Sequence, residues 1–169
     1  LAFTQFLYGN LQEAENLISK SIATISEYPS ILGYQENYWL KGMLCFHTGD
    51  SSGLKNIIST FARVIKKHKF SKTAYHPIYK FYIHLNILSA ILTGDKERMQ
   101  KNVYVLDNDI IEKVKDHGSI FDYGFINYHL FKVFSSKKFE NKDQAQLFKR
   151  KADSRNNFYK SLAPEVYRF

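Results

Sequence analysis

Apolar residues recur along this chain at separations of three and four. In residues 11–28, Leu11, Ala14, Leu17, Ile18, Ile22 and Ile25 fall on one face of a helix of about four turns. Asn10 stands where an N-cap belongs, with Glu13 three residues on, and Pro29 stops the run. A second segment runs from Tyr34 to His47, turns at Thr48-Gly49-Asp50-Ser51 and returns through Leu54, Ile57, Ile58, Phe61, Ala62 and Ile65. It ends in Lys66, Lys67, His68 and Lys69, cations that suit the negative end of a helix dipole. A third climbs from Thr73 to Leu92 with Pro77 in its first turn, where proline is tolerated. It turns at Thr93-Gly94-Asp95 and comes back through Met99, Val103, Leu106, Ile110 and Ile111. Beyond Gly118, the residues Phe121, Phe125, Tyr128, Leu130, Phe131 and Phe134 predict a fourth ascending helix. A polar stretch over 135–142 leads into a last helix with Ala145, Phe148, Ala152 and Phe158 or Tyr159, and the tail from Leu162 reads as extended. The pattern predicts an all-α chain.

The corners repeat. Gly9-Asn10, Gly49-Asp50 and Gly94-Asp95 are spaced by 40 and 45 residues, with a degenerate fourth copy at Asn141-Lys142. Self-similarity at such a period is the mark of stacked helical hairpins. The residues at the corners resemble the tetratricopeptide repeat (TPR). Gly9-Asn10-Leu11-Gln12-Glu13-Ala14 reads like that family's turn, Ala14 and Ile18 stand at its Ala-x3-Phe spacing, and Ser21 takes the small-residue place one turn on. The second copy supplies Tyr38, Gly42 and Cys45 on the ascending helix, with Gly42 allowing a close helix approach. The chain departs from the family at Leu54 and Met99, which replace its alanine, at Ile87, which replaces its glycine, and in a period longer than the family's 34 residues. The resemblance is therefore to a divergent, long-repeat type, similar to the superhelical sensor regions of bacterial transcription regulators. It implies a right-handed superhelix of about four antiparallel hairpins filling one domain over residues 1–169.

Composition agrees with a folded chain. The hydrophobic fraction is 44% and the aromatic fraction 16%, far from the signature of disorder. Leu1 is not an initiator methionine and residues 1–9 read as the end of a helix, so a fragment of a longer chain is expected. A single cysteine, Cys45, excludes an internal disulfide and favours the cytoplasm. The longest apolar run, Ile83 to Thr93, is broken by His84, Asn86 and Ser89 and falls well short of the ~20 residues of a membrane span.

If the family's geometry carries over, the ascending helices line an inner wall. The candidate partner-binding residues are Trp39, Met43 and Phe46, then Phe81, His84 and Leu88, then Tyr128 and Phe131. They could equally be core. As a groove, this apolar, aromatic wall would grip an amphipathic helix or an apolar peptide, either from another protein or from a missing part of the same chain. Lys41, His47 and Asn86 are too scattered for a carboxylate clamp.

Net charge is +8, gathered in two blocks. Residues 61–105 carry nine cations against two anions and residues 137–169 nine against four. Phosphate neutralisation by Lys66, Lys67, Lys69, Lys72, Lys149, Arg150 and Lys151 is the alternative function, a basic helical domain contacting nucleic acid. Tyr75, Tyr79 and Tyr82 could stack on bases, although their helical spacing suits interhelix packing.

No phosphate-binding loop, zinc-protease helix or nucleophile elbow occurs in the sequence, and no enzyme, cofactor or metal is expected. His76 and His84 are eight residues apart on a helix, roughly 12 Å, too far to share one metal ion, and read as surface or groove residues. Asp107, Asp109, Glu112 and Asp116 lack the ligand order of a calcium loop and read as a solvated face. Cys45, between Leu44 and Phe46, reads as packing. The expected function is a protein- or peptide-binding module within a transcription-related regulator.

Overall fold

The structure is a computed structural model that describes residues 1–27, 31–67, 77–108 and 123–153. Among them are eight helices and no strands: α1 (Ala2–Leu7), α2 (Leu11–Glu27), α3 (Ile31–Thr48), α4 (Ser51–Lys67), α5 (Pro77–Thr93), α6 (Lys96–Asn108), α7 (Tyr123–Ser135) and α8 (Lys142–Asp153). The protein is all-α. Ile110, Ile111, Phe121, Phe158, Tyr159 and the tail from Leu162 lie outside the described residues.

The corners are built alike because the same local bonds close them. Gly9, Gly49 and Gly94 hold φ of 77°, 76° and 70°, the left-handed region where a Cβ is penalised. At each, the glycine N–H bonds back three residues and the next N–H five, satisfying carbonyls that the ending helix leaves open. The pairs are Gly9 to Phe6 and Asn10 to Gln5, Gly49 to Phe46 and Asp50 to Cys45, and Gly94 to Ile91 and Asp95 to Ala90. Thr48 Oγ1 donates to the carbonyls of Leu44 and Cys45, and Thr93 Oγ1 to those of Ser89 and Ala90, at matching distances of 3.0 and 3.3 Å.

The aspartates then start the returning helices. Asp50 Oδ1 accepts the Gly53 N–H at 2.8 Å and Asp95 Oδ1 that of Arg98 at 3.0 Å. The fourth corner keeps this cap, with Asn141 Oδ1 accepting the Gln144 N–H at 3.2 Å, but not the glycine. Asn10, expected as a cap, spends its side-chain N–H on Gln5 Oε1 at 2.7 Å instead.

The chain gathers into two compact units. One comprises α2–α6, in which α3 packs on α2, α4 and α5, and α5 packs on α3, α4 and α6. Neighbours on three sides explain why α5 is buried almost all round, whereas α4 buries the single stripe Leu54, Ile57 and Phe61. The other unit comprises α1, α7 and α8. There α7 packs on α8 with Phe134 stacked on Phe148 at 5.9 Å, and Phe3 of α1 meets Phe125 of α7 edge-on at 4.9 Å.

Candidate functional site

Helices α3 and α5 pack against each other. Trp39 Nε1 donates to His84 Nδ1 at 2.8 Å across a separation of 45, the spacing that also relates Gly49 to Gly94. The indole lies stacked on Phe81 with centroids 4.5 Å apart. One turn along, Gly42 lets the helices close. A Cβ there would stand 2.7 Å from Leu85 Cδ2, so the expected close approach is present.

This contact takes in most of the candidate partner-binding residues. Trp39, Met43, Phe46, Phe81, His84 and Leu88 are all buried, Trp39 and His84 at 0% exposure. All six lie on α3 and α5, within the α2–α6 unit. His84, read from sequence as a surface or groove residue, is interior, because its Nδ1 is needed by the indole N–H. Burial drives its pKa down to about 3, with the nearby His47 adding to the effect, so the ring is neutral at ordinary pH. In the other unit Tyr128 is buried and Phe131 half-exposed, with rings 6.4 Å apart.

Near the start of the α3–α5 contact sits a charged pair that the sequence pattern does not mark. Lys80 is 8% exposed, and its Nζ lies 5.3 Å from the Phe81 ring centroid. Burial raises the pKa of Glu36 above the usual carboxylate range, and the charge of Lys80 opposes that rise. Gln35, one residue before Glu36, is buried with Oε1 lacking a hydrogen-bond partner.

What α3 and α5 present outward is a matched arc. Asn37 and Lys41 on α3, and Tyr82 and Asn86 on α5, are half-exposed, each pair is four residues apart, and the two pairs are offset by the repeat spacing of 45. Tyr79 joins the arc one turn before Tyr82, the rings 6.4 Å apart and 30° from parallel. Asn86 is oriented by its Nδ2, which donates to the Tyr82 carbonyl at 2.8 Å. Lys41 and Asn86, which look scattered in sequence, occupy positions offset by the same 45 residues that separate Trp39 from His84.

The basic positions divide. Lys66, Lys149 and Arg150 are exposed and Lys151 is half-exposed near the end of α8, where cations suit the dipole. The Lys67 side chain, Lys69, Lys72 and Tyr75 lie outside the described residues. So do His76, Asp109, Glu112 and Asp116. Among the described residues no group of three or more His, Cys, Asp or Glu side chains is arranged to hold a metal ion. Burial, with Asp50 next in effect, pushes the Cys45 thiol up to about 11, so it carries no thiolate at neutral pH. No helix among the described residues is long and apolar enough to cross a membrane. Comparison with known protein families, curated proteins and solved structures gave no match to this chain.

Proposed function

We propose that the chain is a protein- or peptide-binding helical-repeat module, the sensing or docking region of a transcription-related regulator in the cytoplasm, built as a right-handed TPR-like superhelix of about four hairpins. The main support is the arc shared by α3 and α5, where Asn37, Lys41, Tyr82 and Asn86 stand at equivalent positions of successive helices. Stacked repeats present side chains in rows, and a row of amide, ammonium and phenol groups suits an extended peptide or one face of an amphipathic helix. The buried residues Trp39, Met43, Phe46, Phe81, His84 and Leu88 hold those helices in register, while on α7 Tyr128 is buried and Phe131 offers half-exposed aromatic surface. The module acts by complementarity and not by turnover.

A displayed library of random peptides, selected against the whole chain, tests this. The expected result is peptides whose binding tolerates added salt, weakens about tenfold or more in Tyr82→Ala or Lys41→Ala, and is unchanged in Lys149→Ala and Arg150→Ala. Binding to DNA or RNA that falls steeply with salt and is lost in Lys149→Ala and Arg150→Ala would install the nucleic-acid function instead. Failure to select any peptide, with no nucleic-acid binding, would overturn both.

A further inference from the structure

Residues Phe125 to Leu130 form a run in which every side chain is buried, so α7 is enclosed on all sides over nearly two turns. Phe125, Ile126 and Leu130 fill that space as expected of a core helix. Asn127 does not. It is 0% exposed, and neither its Oδ1 nor its Nδ2 has a hydrogen-bond partner. Its neighbour His129 is equally buried, but Asn127 differs in offering both a donor and an acceptor that the protein leaves unanswered.

Buried amides are nearly always hydrogen-bonded, because removing one from water without replacing its bonds is costly. A leucine has the same branched outline and carries no such cost. We propose that the Asn127 carboxamide holds against α7 a small polar guest presenting a hydrogen-bond donor and an acceptor together. Two sources share this chemistry, an internal water molecule and a small amide-bearing or hydroxyl-bearing molecule retained from the cell. Either gives the amide what a side-chain partner would have supplied, as buried waters do beneath other orphaned polar groups.

A high-resolution crystal structure of the whole chain, solved once as purified and once after unfolding and refolding in ligand-free buffer, tests the proposal. The expected result is density at about 2.7–3.2 Å from both amide atoms. A single-atom feature present in both crystals identifies water. A larger feature lost on refolding, with a matching mass loss in native mass spectrometry, identifies a retained small molecule. An Asn127 amide bonded directly to protein groups, or a dry contact in both crystals, overturns the proposal. In solution, Asn127→Leu is expected to expel the guest and leave Tm unchanged or higher by ~2–4 °C. A guest retained in Asn127→Leu, by density or by mass, would show that other groups hold it and would overturn the proposal.

Discussion

Trp39 and His84 are joined by a buried 2.8 Å hydrogen bond whose ends are separated by 45 residues, so one contact both fills the core and fixes the phase between two hairpins. Slipping α3 against α5 by one residue would swing the indole away from Nδ1 and drive the Gly42 face off Leu85. The pair ties repeat spacing to tertiary register. Trp39→Ala is expected to cost ~3–5 kcal/mol, the range for truncating a buried aromatic. Trp39→Phe keeps most of the volume but strands the imidazole nitrogen, at ~1–3 kcal/mol. Urea titrations of Trp39→Phe, His84→Leu and the double variant should return a clear coupling term. Additive losses would mean the hydrogen bond contributes nothing.

His84 also sets a pH dependence. Its folded pKa of about 3 lies below the ordinary value of 6.5, so at intermediate pH the unfolded chain binds a proton that the folded chain refuses. The stabilisation is complete above pH 6.5 and declines as pH falls toward 3, at no more than ~1.4 kcal/mol per unit. Glu36, whose pKa burial raises, acts in the opposite sense, and the His84 slope is steepest midway between its unfolded value of 6.5 and its folded value of about 3. Thermal melts across that window should show stability falling in the wild type and nearly flat in His84→Phe. An equal slope in both would assign the effect to other groups.

Gly49 and Gly94 should respond alike to substitution. Nothing lies within 4 Å of a Cβ built on either, so alanine meets no steric obstacle and suffers only the left-handed backbone. Each Gly→Ala change is expected to cost ~1–2 kcal/mol, and Gly→Asn less, since asparagine tolerates that conformation. Asp50→Ala and Asp95→Ala remove the caps at ~0.5–2 kcal/mol each. Chemical denaturation of the four alanine variants checks the equivalence of the two corners, and a large asymmetry between them would show that the surroundings intervene.

Gly42 is limited by space and not by backbone. A side chain there enters the volume of Leu85, which is itself fully buried, so Gly42→Val is expected to destabilise by ~1–3 kcal/mol through overpacking. Pairing it with Leu85→Ala should recover part of the loss. A Gly42→Val variant as stable as the wild type would mean that α3 and α5 are not held this close.

The helices and their corners are legible along the chain, since those rest on interactions between residues a few places apart. Thr48-Gly49-Asp50 and Thr93-Gly94-Asp95 carry their own bonds to the preceding turn and their own caps for the next one, so their chemistry is legible wherever they stand. Even there one short-range alternative escaped, the capture of the Asn10 amide by Gln5, because a side chain with two possible partners does not declare which is nearer. Which faces are interior depends on long-range packing. Trp39, Phe81 and His84 have the same spacing whether they line a groove or a core, and the choice fell to burial because α3 lies against α5 at the distance Gly42 permits. Helix packing also enclosed Lys80 on α5 and, in the other unit, Asn127 on α7, which composition alone would place in water. Helix period fixes direction around each axis, but exposure depends on what the neighbouring helix covers.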